Sequence, residues 1–263
     1  MFLKDLIKEG INTISSLYPE GEAREMVLAY LEHRIGTTRH THILNPDYVV
    51  CDDIVPEISD AYRRMASGEP FQYVIGLAYF YGREFHVTPD VLIPRPETEI
   101  LCRTVLSTHG PKRVLDLCTG SGCIAWTLAL EMPGAEVTAV DISDGALAVA
   151  SSQDFSEELS RSSAFAPKFI KADVLAGPSL MHQYDILVSN PPYVMDKEKA
   201  LMRANVLDHE PHLALFVSDD DPLIFYRAIV QWAQAFLKPD GYCMVEINEA
   251  LGPETAQVYL DAG

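Results

Sequence analysis

The stretch Arg113-Val114-Leu115-Asp116-Leu117-Cys118-Thr119-Gly120-Ser121-Gly122-Cys123 decides the fold. Its first five residues are a short apolar run of the kind a buried strand carries, and its next five are small residues suited to a tight turn. From 122 to 131 the sequence is helix-forming and apolar almost all round. A buried strand that passes through a small-residue loop into a buried helix opens a strand-helix-strand unit. The same alternation recurs downstream, with strands expected at 136–140, Lys168–Lys171, 184–188 and 242–247 and helices at 143–155 and 222–236. This pattern predicts an α/β protein built on a doubly wound parallel sheet with helices on both faces. Ligands bind such sheets beyond the carboxyl ends of the strands, so the loops that follow the strands are the candidate site.

Upstream of the sheet the pattern changes. Apolar residues recur at helical spacing from Leu3 to Leu17, where Pro19-Glu20-Gly21 is expected to stop the helix. A second helix is expected over 22–34, ending at Gly36, and a third over 56–65 with Ile58, Ala61 and Tyr62 turned inward. Beyond Gly68-Glu69-Pro70 the residues become aromatic and β-branched (Phe71, Tyr73, Val74, Tyr79, Phe80, Phe85), which predicts a β-hairpin. The expected organisation is a helical bundle over 1–67, a hairpin linker over 68–94 and the sheet domain over 95–263.

With 263 residues, the chain can bury a sizeable core without a disulfide or metal staple. It carries 38 acidic against 20 basic residues, a formal charge of −18, which opposes a phosphate-rich partner. The five cysteines (51, 102, 118, 123 and 243) form no C-x-x-C pair, so neither a disulfide framework nor a zinc module is expected and a reducing cytoplasm is the natural compartment. Met1-Phe2-Leu3-Lys4-Asp5 charges up too early for a signal peptide, and no apolar run reaches membrane-spanning length.

Four loops carry the chemistry. In the first, Cys118, Thr119, Gly120, Ser121 and Gly122 let a ligand approach the backbone and bare N–H groups at a helix start. No Lys follows, which excludes a phosphate loop, and the third glycine of a dinucleotide fingerprint is missing. Asp141 ends the second strand, where a carboxylate can accept both hydroxyls of a ribose, while Ser143 is better placed to cap the next helix. Asp173-Val174 follows the third strand, where the Asp can meet an adenine amine or serve as an ordinary turn residue. The fourth loop, Ser189-Asn190-Pro191-Pro192-Tyr193, is stiffened by two prolines. An Asn side-chain oxygen and a backbone carbonyl can each accept one hydrogen of a planar NH₂ group, and a Tyr ring can pack on its plane.

The loop Asn190 to Tyr193, with 116–122 and Asp141 in this order and spacing, resembles the class I S-adenosylmethionine-dependent methyltransferases, which have a Rossmann-like sheet. Phe71-Gln72-Tyr73-Val74-Ile75-Gly76 and Leu92-Ile93-Pro94-Arg95-Pro96-Glu97-Thr98-Glu99 narrow the resemblance to the HemK/PrmC family, the glutamine-N5 methyltransferases of peptide chain release factors. Glu210-Pro211, Leu213-Ala214-Leu215 and Pro239-Asp240-Gly241 also fit, and the resemblance covers roughly residues 68–250. It implies that Cys118 to Gly122 cradle the methionine end of the cofactor, that Asp141 holds its ribose and that Asp173 and Val174 meet its adenine. Asn190 would face both cofactor and substrate. Asn190 and the Pro191 carbonyl would grip the substrate amide, with Pro192 and Tyr193 beside it, and the helical bundle would dock the release factor.

The sequence departs from the family pattern in three ways. Cys118 stands where a glycine is usual, so this turn must either avoid a positive φ or accept strain. Val174 replaces a larger aromatic, and the chain ends about two strands short of the antiparallel pair that normally completes the sheet. Arg95 and Glu97 are expected either to brace the pocket or to form a structural ion pair. His209, Glu210 and His212 look like a metal cluster, but Pro211 breaks any helix that would align them, so no metal is expected. Two other functions compete. An adenine-N6 methyltransferase of DNA or RNA shares the N-P-P-Y logic but needs a basic channel, which this charge opposes. An inactive cofactor-binding interaction module would not need the intact Asn190 to Tyr193 loop.

Overall fold

The structure, a computed structural model, describes residues 1–108, 110, 112–178 and 182–263. The chain divides into two compact units, Met1–Gly76 with Arg203–His209, and Leu77–Met202 with Glu210–Gly263.

The first unit is helical: α1 (Leu3–Ile14), α2 (Glu20–Ile35), α3 (Thr41–Leu44), α4 (Val55–Ala66) and α5 (Phe71–Ile75), with a short helix at Ala204–His209. Leu6, Ile14, Val27, Leu31, Ile58 and Met65 form its core. Three helices meet at Gly10, where an added Cβ would lie 2.7 Å from both the Tyr62 ring and Val27, so only glycine allows this approach. Two sequence expectations need correction. Pro19 does not stop α1, which already ends at Ile14; it occupies the N-cap of α2, where its fixed φ suits a helix start. Residues 71–75 are helical rather than extended. Pro70 precedes them, Gly76 closes the turn at φ +77, and Phe71, Val74 and Ile75 pack on the helical core, so tertiary packing overrides their β propensity.

The second unit opens with a hairpin, β1 (Leu77–Phe80) and β2 (Arg83–His86). Tyr81 and Gly82 both take positive φ at its two-residue turn, the backbone that matches the twist of paired strands. Helix α6 (Thr98–Leu106) then leads into β3 (Arg113–Leu117), α7 (Cys123–Glu131), β4 (Glu136–Asp141), α8 (Asp144–Ser151), α9 (Ser156–Arg161), β5 (Lys168–Lys171), β6 (Tyr184–Ser189), the short pair β7 (Val194–Met195) and β8 (Phe216–Val217), α10 (Ile224–Phe236), β9 (Leu237–Val245) and α11 (Gly252–Leu260). The central sheet is parallel throughout, in the order β5-β4-β3-β6-β9.

Alternation along the strands explains the two-sided core. Val114, Val137, Ile186 and Val188 pack on the α7 side, together with Phe80 and Phe85 of the hairpin, whereas Leu115, Leu117, Val140 and Leu187 pack against Trp232 and Ile229 of α10. Eight of the nine residues of α7 are buried, as its all-round apolar sequence requires.

Two segments end earlier than periodicity suggests. Helix α8 stops at Ser151, and Gln153 instead accepts from the His86 N–H and donates to the His86 and Ser121 carbonyls, tying the hairpin to the first loop. Strand β9 ends at Val245 and begins at Leu237, with pairing that jumps from Tyr184↔Leu237 to Ile186↔Tyr242, so the Pro239-Asp240-Gly241 turn is a bulge within the strand. Glu246 and Ile247, expected in the strand, lie beyond it.

Candidate active site

Strand order reverses at β3: β4 and β5 lie on one side of it, β6 and β9 on the other. Leu117 pairs with Ser189, so β3 and β6 end side by side while their loops diverge and leave a crevice. This crevice is a cleft of about 310 Å³. Cys118, Thr119, Gly120, Ser121, Asp141, Asp173, Val174, Asn190 and Pro192 all line it, whereas Gly122, Pro191 and Tyr193 do not.

One half of the cleft is built from backbone and carboxylates. Cys118 accepts the strain, with φ +60, and Gly120 and Gly122 follow at +55 and +78. An added Cβ on Gly122 would meet Ala150 at 3.0 Å and Trp126 at 3.2 Å, so this glycine seats the loop on the core, while one on Gly120 would meet nothing. Asp141 accepts the Gly120 N–H at 2.9 Å on one oxygen and the Ser143 N–H at 3.0 Å on the other. A carboxylate has about four acceptor sites, so both oxygens can still receive a hydroxyl. The Ser143 side chain caps α8 by accepting from Ala146 N–H. Asp173 accepts from Leu175 N–H at 2.8 Å, so it serves its own turn as well as lining the cleft.

Beneath this loop Asp116 is fully buried. One oxygen accepts from the Thr119 hydroxyl at 2.6 Å. Burial pushes its carboxyl up to about 7, against the pull of the Thr119 bond. Cys123 is buried with its thiol pushed up to about 12, mainly by burial, which makes it a packing residue rather than a nucleophile.

On the other side Asn190 and Thr98 line the cleft, backed by a network of side chains. Asn190 Nδ2 donates to the Thr98 hydroxyl at 3.2 Å, Thr98 donates to Glu246 Oε2 at 2.8 Å, and the Tyr193 hydroxyl donates to Glu246 Oε1 at 2.9 Å. Burial, then the charge of Glu246, holds the Tyr193 phenol well above its usual range. Asn248 donates to the Tyr193 carbonyl and to Glu198, which itself accepts from Met195 N–H, so the exit of the loop is also pinned. Sequence reasoning did not identify Thr98, Glu198, Glu246 or Asn248 as site residues. Thr98 lies within the Pro94 to Glu99 stretch, but the other three carry no motif of their own.

Arg95 forms a wall of the cleft and bonds Glu210 at 2.5 Å; the Glu210 side chain is 1% exposed and also accepts from Ile93 N–H. Glu97 is exposed at the start of α6. Among the described residues no cluster of three or more His, Cys, Asp or Glu side chains could hold a metal, and no helix is long and apolar enough to cross a membrane.

The site fits S-adenosylmethionine in its chemistry. A loop of small residues lining the cleft and, at a strand end, a carboxylate with acceptor capacity left suit a ligand with amino-acid and ribose ends.

Comparison with known proteins agrees. Residues 96–214 match the methyltransferase small domain family, and residues 5–76 match the PrmC N-terminal domain. A release factor glutamine methyltransferase of Bacteroides thetaiotaomicron is 41% identical, over 92% of this chain and 86% of its own. That of Flavobacterium psychrophilum is 36% identical, over 98% and 90%, and that of Streptococcus pneumoniae 41% identical, over 77% and 71%. The cleft and these similarities lead to one conclusion: the chain belongs to the release factor glutamine methyltransferase family.

Proposed function

We propose that this protein methylates the side-chain amide nitrogen (N5) of the glutamine in the Gly-Gly-Gln motif of peptide chain release factors. The observation that carries the reading is the position of Asn190: it lines the same cleft as the Asp141 loop and is held by Thr98. Thr119, Gly120 and Ser121 would hold the methionine end of the cofactor, Asp141 its ribose, and Asp173 with Val174 its adenine. S-adenosylmethionine supplies an electrophilic methyl group on a sulfonium.

An amide nitrogen is a poor nucleophile because its lone pair is delocalised into the carbonyl. Asn190 Oδ1 and the Pro191 carbonyl, the latter just outside the cleft lining, would each accept one N–H, aiming the nitrogen and stabilising the positive charge that grows on it. When bound, the cofactor would give its sulfonium methyl to the nitrogen and leave as S-adenosylhomocysteine, and the excess N–H proton would pass to water, so no strong general base is needed. The Tyr193 hydroxyl stays bonded to Glu246, and its ring, outside the cleft lining, would support the loop behind the amide.

The helical unit is the part assigned to release factor recognition, and the cytoplasm, where translation terminates, is the place of action. The charge of −18 favours a protein over a nucleic acid substrate. Incubation with methyl-labelled cofactor and, in parallel, a release factor, transfer RNA or duplex DNA tests the reading. Label in the release factor alone is expected; label in either nucleic acid, or in none of the three, overturns it.

A further inference from the structure

The side chain of Asn190 has an acceptor end and a donor end of nearly equal shape, and only one orientation can receive a substrate NH₂. We propose that Thr98 and Glu246 are positioning residues that choose this orientation, an inference that rests on the role given to Asn190 above. The polarity runs in one direction. Glu246 is a carboxylate and only accepts, so the hydroxyl hydrogen of Thr98, 2.8 Å from Oε2, points at Glu246. Thr98 then offers Asn190 only a lone pair. The Asn190 group 3.2 Å away must therefore be the Nδ2 donor, which turns Oδ1 away from Thr98 as the free acceptor. A flipped amide would set oxygen against oxygen at Thr98 and hydrogen against hydrogen at the substrate.

The other oxygen of the same carboxylate takes the Tyr193 hydroxyl hydrogen. The hydroxyl hydrogens of Thr98 and Tyr193 are thus both directed at Glu246, and the Asn190 oxygen is left as an acceptor for the substrate. Such a site selects a donor NH₂ and rejects the isosteric carboxylate of a glutamate. Thr98 is 2% exposed and sits in the first turn of α6, so packing and the helix fix its place.

The test uses the full chain with a release factor and with its Gly-Gly-Glu variant. Thr98→Val keeps the shape and loses the relay; at saturating cofactor kcat is expected to fall about tenfold, the scale of one hydrogen bond, with cofactor Kd within about twofold. Thr98→Ser should recover most of that loss. Glu246→Gln, whose single NH₂ end donates back to Thr98 when turned toward it, should lose up to about tenfold. In the Asn190→Ala background Thr98→Val should cost nothing further, because the group it orients is gone. Binding to chain saturated with S-adenosylhomocysteine gives a readout without turnover. Wild type should prefer the Gln over the Glu form by roughly tenfold, and Thr98→Val should bring the two within about threefold. Wild-type kcat in Thr98→Val, or independent losses in the double variant, would overturn the relay. Normal turnover in Asn190→Ala would instead overturn the role of Asn190 itself.

Discussion

The two halves of the cleft are built in different ways. On the β3–β4 side, recognition groups are held by neighbours close in sequence: Thr119 on Asp116 and Ser143 on Asp141, with Gly120 reaching Asp141 across 21 positions. On the β6 side, the Asn190 to Tyr193 loop depends on residues far away, Thr98 across 92 positions, Glu246 across 53 and Asn248 across 55. The first half offers backbone and strand-end carboxylates, which suit binding of a cofactor. The second offers one amide aimed by a network, which suits orienting a reacting group. Binding and positioning should therefore separate in kinetics.

The largest expected effect is on the second half. Asn190→Ala should lower kcat by roughly two to three orders of magnitude, the scale of one preorganised transition-state contact, with cofactor Kd within about threefold. Stopped-flow binding beside steady-state kinetics would show the split. Asp141→Ala should do the reverse, raising cofactor Kd by roughly 30- to 100-fold through loss of a charged acceptor and of the loop it braces, as calorimetry can measure. If the Asn190 variant lost mainly binding, or the Asp141 variant mainly kcat, the division between halves would break.

Smaller effects sharpen it. Asp116 has its folded value raised to about 7 from an ordinary 3.8. Between those values the folded chain holds a proton that the unfolded chain has released, so this group's contribution is present in full below about pH 4 and lost as pH rises through 7. Asp116→Asn removes that loss. Its Tm relative to wild type, measured without cofactor, should climb from pH 4 to pH 8; a flat difference would show that the carboxyl ionises freely. Smallest is Cys118→Gly, which relieves the left-handed backbone at φ +60 and should stabilise by about 0.5–1 kcal/mol in denaturant unfolding.

The same contrast explains what the sequence could reveal. Strand-helix alternation rests on local periodicity, and Lys168–Lys171 and Arg113–Leu117 fall where that periodicity placed them. The first loop and Asp141 were legible because their chemistry follows from position at a strand end. Thr98 and Glu246 meet across 148 positions, and no spacing rule connects them. Glu246 was hidden further because apolar periodicity extended β9 past its end at Val245, where the backbone leaves the sheet and presents the carboxylate to the loop. Residues 71–75 misled in another way: their composition favours a strand, but Pro70 and Gly76 frame one helical turn that packs on the bundle.

The central claim is that one planar side-chain nitrogen is held and methylated. Tandem mass spectrometry of a release factor after reaction with this protein and S-adenosylmethionine tests it most directly. A single added methyl on the side-chain amide of the Gly-Gly-Gln glutamine is the predicted result, and a methyl on any other residue, or an unmodified glutamine after prolonged reaction, would contradict it.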